Sequence, residues 1–299
     1  MIPQLKNKPT FSISFSEYST FQECPHKWFL NYMLKIPSDT NEELIFGSTL
    51  HDTIETMLTD KNLMRLSHDM NVVESIFKDN LKKQIMDIKD VSLLKKMNEA
   101  WAAPTFAKQG KGLLQELNIK KRFQDYEFVD VEIKLDGLPI LDREDVTITY
   151  KGFIDLVLKH KITGRYLIID WKSSRKPWNI ADKEANYNFY TQLKLYKHFY
   201  SMKKEIPIDM IDLAFYNLPR ESPRDQKQYN KEILPDEIAT FMETFSLNCG
   251  KVYDFNHFML SKARFTTKKN FCGRCPYNNL AMCNDVDEYQ VVDLNGLKF

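Results

Sequence analysis

Charge of one sign is what this sequence most plainly lacks. Lysine and arginine number 42 against 41 aspartates and glutamates, a formal net charge of +1. No protein-wide field therefore draws the chain onto a nucleic acid, and any such contact has to come from a local patch. No apolar run approaches the length of a membrane span, and residues 1–10 lack the apolar core of a secretory signal, so the expected location is the cytoplasm. Five cysteines at wide, uneven spacing do not make a disulfide framework in such a compartment; they point to metal binding or to buried thiols. No Gly-x-x-x-x-Gly-Lys-Ser/Thr occurs, which excludes a recognisable P-loop motor. Internal repeats and low-complexity tracts are absent too.

What is present suffices for a sizeable core: 299 residues, 43% of them hydrophobic, enough for one large domain or two modest ones. The pattern predicts an α/β fold, a mixed central sheet flanked by helices. Ser14 or Ser16 caps a short helix over 17–23, and Pro25 opens a second through 34. Residues 38–43 read as a polar loop and 44–58 as a helix. Several amphipathic helices follow over 72–123, with Pro104 as a break. Strands are expected over 126–135, 146–159, 166–171 and 208–216, a helix over 182–202, a polar loop over 221–232 and a final helix over 235–261. The expected divisions are a helical section 1–124, a core 125–234 and a cysteine-bearing tail 235–299, joined as one compact unit.

The stretch that organises the rest is Gly152-Phe153-Ile154-Asp155 followed by Leu167-Ile168-Ile169-Asp170-Trp171-Lys172. Residues 160–165 carry the glycine and polar side chains of a hairpin turn. Side chains alternate along a strand, so Asp170 and Lys172 project to one face and Trp171 to the other. Asp155 comes from the neighbouring strand. An isolated Asp-x-Lys says almost nothing, since ion pairs are common on solvent-facing strands. Asp170, however, follows an apolar run expected to be buried, where an unpaired carboxylate is costly. Two carboxylates and a lysine on one face make a site for a hard divalent cation and a phosphate.

Other candidates stand beside this set. His51 follows Gly47 by one helical turn, although a lone helix histidine is more often structural. Glu132 lies on a preceding strand among other acidic residues. Gln192 and Tyr196 share a helix face, with a tyrosine packed on the sheet beside a solvent-facing glutamine as the plainer reading. Cys272 and Cys275 bring two thiolates within reach of one metal, with Cys283 beyond them. Thiolate clusters of this kind suit zinc or an iron–sulfur centre. Cys249 reads as an ordinary buried thiol. Ser173, Arg175, Lys176 and Trp178 follow the central strand and combine positive charge with an aromatic ring able to stack on a base. The basic stretch 262–269 reads as solvated surface.

In their order along the chain, Gly47-x-x-x-His51, Glu132, Gly152-x-x-Asp155, Asp170-x-Lys172 and Gln192-x-x-x-Tyr196 resemble the RecB-like nucleases of the PD-(D/E)XK superfamily. With Cys24 and the three late cysteines, the pattern is similar to that superfamily's iron–sulfur branch, which includes CRISPR-associated adaptation exonucleases and recombination nuclease domains. The resemblance implies that His51, Asp155 and Asp170 hold Mg²⁺ or Mn²⁺, with the Trp171 carbonyl as a fourth ligand. It implies that Lys172 assists attack of water on a phosphodiester and that Glu132 is a supporting or second-metal carboxylate. It assigns Cys24, Cys272, Cys275 and Cys283 to a 4Fe-4S cluster, although the interval before Cys283 is longer than in many relatives.

The implied activity is a metal-dependent DNA exonuclease at single-stranded ends, working on open ends or beside a separate helicase, recombination or CRISPR partner, with no membrane involved. Two alternatives stay open: a non-catalytic nucleic-acid-binding or assembly factor that keeps the fold, and an endonuclease acting at junctions or specific sites.

Overall fold

The apolar run Leu167-Ile168-Ile169 forms the middle of strand β4 (Tyr166–Ser174), and its burial on both faces fits a strand with a parallel neighbour. That neighbour is β5 (Ile211–Pro219), with Ile169 level with Ala214. On the other side β3 (Thr147–His160) runs antiparallel, with Leu156 opposite Ile169. The connection is the expected hairpin. His160 N–H donates to the Arg165 carbonyl at 2.8 Å and Gly164 N–H to that of His160 at 2.9 Å, with Gly164 at φ +71°, a conformation glycine adopts without penalty. The mixed sheet also holds β1 (Thr10–Ile13), parallel to the first residues of β3, and β2 (Tyr126–Asp142), which pairs with β3. β6 (Tyr229–Asn230) pairs antiparallel with β5. In this computed structural model the described residues are 10–36, 38, 40–98, 102–142, 144, 147–175, 178, 190–220, 229–230 and 275–277.

The chain divides into two compact units. The larger comprises Thr40–Leu135 and Phe153–Glu232. Its longest helix, α3 (Glu42–Thr59), starts where the Asn41 side chain accepts the Leu44 N–H at 3.0 Å, and Glu42 and Glu43 in its first turn complement the helix dipole. α3 follows the short helices α1 (Phe15–Glu23) and α2 (Pro25–Trp28), the latter continuing as a π-helical turn over Phe29–Met33. After it come α4 (Lys61–Arg65), α5 (Met70–Met86), α6 (Val91–Met97), α7 (Ala102–Leu117), with Pro104 in its first turn, and α8 (Ile119–Arg122).

On α3 the residues Ile45, Phe46, Leu50, Ile54 and Met57 form one buried stripe. It packs with Phe77 of α5, Phe106 of α7, and Ile169 and Trp171 of β4 in a single apolar core, each such side chain contributing roughly 1.5–3 kcal/mol on burial. Across the sheet, α9 (Thr191–Lys204) buries Leu193, Tyr196, Phe199 and Tyr200. In the other unit, Met1–Asp39, Asp136–Gly152 and Ile233–Phe299, Phe21, Trp28, Phe29, Leu30 and Tyr277 cluster, and the Tyr277 hydroxyl donates to the Ile36 carbonyl at 2.8 Å.

Ser14 is the cap of α1, its hydroxyl accepting the Glu17 N–H at 3.2 Å. The expected loop at 38–43 gives way to α3 from Glu42, and the expected strand over 208–216 begins with a 3₁₀ turn at Ile208–Met210. β6 lies inside 221–232, expected as loop, because two residues at a sheet edge satisfy backbone pairing without an apolar signature. The expected helix over 235–261 and Cys249 fall outside the described residues. Among the described residues no helix is long and apolar enough to cross a membrane.

Candidate active site

Asp155 of β3 and Asp170 of β4 point to the same face of the sheet, and both are nearly removed from solvent, at 9% and 2% exposure. Each carboxylate is held by the neighbouring strand or its own. Oδ2 of Asp155 accepts the Trp171 backbone N–H at 2.6 Å, and Asp170 pairs with Lys172 Nζ at 2.7 Å. Trp171 points the other way, into the apolar core. Lys172 Nζ also donates to Gln192 Oε1 at 2.9 Å, and Gln192 Nε2 donates to the Tyr196 hydroxyl at 2.8 Å. The two α9 residues thus act in series on the lysine.

The third element is α3. A Cβ on Gly47 would come within 2.8 Å of Ser173 Oγ, so the missing side chain is what lets the helix lie against β4 at this height. One turn on, His51 Nδ1 faces Asp155 Oδ2 at 3.5 Å. β2 completes the group: ligand atoms of His51, Glu132 and Asp155 all lie within 4.8 Å of one another. Glu132 has φ +48°, a left-handed conformation that costs a non-glycine residue about 1–3 kcal/mol and persists only where the surroundings impose it.

The electrostatics follow from crowding acids in a buried place. Burial pushes Asp170 up to about 6, with Asp155 adding to the rise and Lys172 opposing it. Burial likewise raises Glu132 to about 7, reinforced by Asp155 and Glu55. For His51 burial acts downward, but the hydrogen bond and charge of Asp155, with Asp170 behind it, leave the imidazole raised. Such a set is short of positive charge, and a hard divalent cation would supply it. Carboxylate oxygens with one imidazole fit Mg²⁺ or Mn²⁺ by donor chemistry.

The structure brings together His51, Glu132, Asp155, Asp170, Lys172, Gln192 and Tyr196. Ser173 turns toward Gly47 of α3, Arg175 is exposed, and the Trp178 ring meets Phe215 edge-on at 5.9 Å. Lys176 lies outside the described residues, as do Cys272 and Cys283. Cys24 is buried at the end of α1, and Cys275 packs on the aromatic cluster of the same unit. Sequence reasoning passed over Glu55, one turn beyond His51 on α3; its i, i+4 spacing from the histidine is the signal that would have found it. Burial and the nearby charges of Asp52 and Asp155 raise its carboxyl.

Among family profiles, that of the PD-(D/E)XK nuclease superfamily matches residues 12–283. The chain belongs to the PD-(D/E)XK nuclease superfamily. The crystal structure of a protein from Eubacterium rectale, provisionally described as an exonuclease, superposes with a TM-score of 0.57 at 11% identity, over 95% of this chain and 92% of that one. At that identity the likeness concerns the fold. SSO0001 is similar at 14% identity over 78% of this chain and 93% of that chain, with a TM-score of 0.35. A search of curated protein sequences gives no significant match.

Proposed function

We propose that this chain is a divalent-metal-dependent nuclease that hydrolyses phosphodiester bonds of DNA, acting as an exonuclease at single-stranded ends. The observation that supports it most is the convergence of His51, Glu132 and Asp155 within 4.8 Å beside the Asp170–Lys172 pair at 2.7 Å. In this reading His51, Asp155 and Asp170, with Glu132 and the Trp171 carbonyl, hold Mg²⁺ or Mn²⁺. When bound, the ion lowers the pKa of water and polarises a phosphoryl oxygen. The chain's own contribution is orientation and charge. Asp155 is fixed by the Trp171 N–H, and Lys172, held between Asp170 and Gln192, presents its ammonium where negative charge develops on the phosphate. Arg175, Lys176 and Trp178 would guide the strand, with Trp178 as the aromatic ring on whose face a base stacks.

The proposal extends to a 4Fe-4S cluster on Cys24, Cys272, Cys275 and Cys283, with a structural role. Its support is the spacing of the late cysteines and the fact that Cys24 and Cys275, from opposite ends of the chain, fall in one compact unit. An absorption spectrum after anaerobic purification tests that part separately: visible charge-transfer absorption of an iron–sulfur centre on cysteine thiolates is expected, and a protein without it holds zinc or nothing on these thiols.

The decisive assay uses end-labelled linear and circular single-stranded DNA with Mn²⁺. Release of nucleotides from the linear form only, abolished by Asp170→Ala, is the expected outcome. Cutting of the circle replaces exonuclease by endonuclease, and no cutting of either overturns the nuclease reading.

A further inference from the structure

Gln192 and Tyr196 are the first half of a longer row. Tyr200 and Lys204 continue it at the same interval of four, so the four side chains form one ridge along α9. The first pair grips Lys172. The second pair grips β2: the Tyr200 hydroxyl donates to Asp130 Oδ2 at 2.7 Å, and Lys204 Nζ meets the same carboxylate at 3.0 Å. Tyr200 is fully buried, so its hydroxyl depends on a protein partner, and Asp130 is that partner.

Asp130 stands two residues before Glu132, at an irregular point of β2. Phe128 and Val131 both pack against the core of α3, α5 and α7, whereas regular alternation would send residues three apart to opposite faces. The inward pattern slips by one between them, and Glu132 just beyond has φ +48°. Slips of this kind re-aim a side chain, and here the re-aimed carboxylate is the one that reaches His51 and Asp155. An irregular strand keeps such a shape only when something external fixes it. Asp130 is fixed from the side of α9 by two donors.

We infer that Asp130, Tyr200 and Lys204 are positioning residues for the metal site, holding β2 so that the Glu132 carboxylate stays within reach of His51 and Asp155. One helix then sets both halves of the site from a single ridge, Lys172 at its N-terminal end and the Glu132 strand at its C-terminal end. The inference rests on the metal-dependent reading proposed above, since it concerns what Glu132 is held in place to do.

The test is direct Mn²⁺ binding by isothermal titration to the full-length protein without DNA, for wild type, Tyr200→Phe, Lys204→Met and Asp130→Asn. Val73→Ala, a core truncation on α5, is the control for lost stability. Loss of positioning is expected to weaken Mn²⁺ binding roughly tenfold in Tyr200→Phe and Asp130→Asn, at the low end of what groups behind metal ligands cost, and less in Lys204→Met. Val73→Ala is expected to lower the unfolding temperature and leave Mn²⁺ affinity in place. Unchanged affinity in Tyr200→Phe and Lys204→Met, both conservative enough to fold, overturns the inference, as does an equal loss in Val73→Ala. Wild-type protein that binds Mn²⁺ with the expected variant losses but cuts no DNA refutes the nuclease reading alone. Wild-type protein that binds no Mn²⁺ refutes both.

Discussion

The backbone N–H of Trp171 donates to Oδ2 of Asp155 across 2.6 Å, so the strand that carries Asp170 and Lys172 is tied to the carboxylate of the strand beside it. The same oxygen faces His51 Nδ1 at 3.5 Å. Asp155 thus has a structural duty and a chemical one, and substitutions separate them. Asp155→Asn keeps an oxygen for the Trp171 N–H and loses the charge, so nuclease activity with Mn²⁺ is expected to vanish while urea stability stays near wild type. Asp155→Ala strands a buried N–H and is expected to lose activity together with about 1–3 kcal/mol of stability. Equal stability of the two variants would contradict the duty assigned to that hydrogen bond.

Lys172 divides its donors between Asp170 and Gln192. Lys172→Met is expected to lower the rate roughly 10²- to 10³-fold, the usual cost of one pre-organised donor, and Gln192→Ala by a smaller factor. Neither removes a metal-ligand candidate. Mn²⁺ binding followed by titration should therefore survive in both, and its loss in Gln192→Ala would show that the glutamine serves the metal and not the lysine.

Removing divalent ions exposes the charge shortage of the site. Glu132 rises from 4.5 to about 7 and Asp170 from 3.8 to about 6 in the folded protein, and His51 is raised as well. All three shifts mean that the native state holds protons more tightly than the unfolded chain. Their stabilising effect is complete at low pH and is lost as pH climbs through the folded values. In metal-free buffer these groups are expected to lower the unfolding temperature between about pH 5 and pH 7.5, with Mn²⁺ or Mg²⁺ flattening the trend and Glu132→Gln reducing it. Scanning calorimetry with and without chelator reads this, and an unfolding temperature that rises over the interval in wild type but not in Glu132→Gln would reverse the assigned sign.

Gly47 predicts a packing effect. A Cβ there would lie 2.8 Å from Ser173 Oγ, so Gly47→Ala is expected to destabilise by about 1–3 kcal/mol, the cost of overpacking. Ser173→Ala in the same chain is expected to return part of that loss, a coupling that denaturation of the single and double variants measures. Additive losses would mean that α3 shifts as a whole.

These residues also show what a sequence discloses. The alternation of Asp170, Trp171 and Lys172, the apolar stripe of α3 and the i, i+4 pair of Gln192 and Tyr196 are periodic, and period is legible in one dimension. Glu132 reaches the site through a left-handed φ and a slip in alternation, neither of which has a residue signature when the residue is not glycine. Asp130, Tyr200 and Lys204 were hidden for a different reason: a tyrosine and a lysine on a helix look like packing and solvated surface until their partner on a distant strand is known. Gly47 was readable as a spacing, but only the closeness of Ser173 gives the spacing a cause.

The central claim is that His51, Glu132, Asp155 and Asp170 share one divalent ion, and anomalous diffraction from crystals soaked in Mn²⁺ addresses it without recourse to activity. One anomalous peak among the His51 imidazole and the Glu132, Asp155 and Asp170 carboxylates is expected, lost in crystals of Asp155→Asn. No peak at that place in fully soaked crystals, or a peak that persists unchanged in Asp155→Asn, would contradict it.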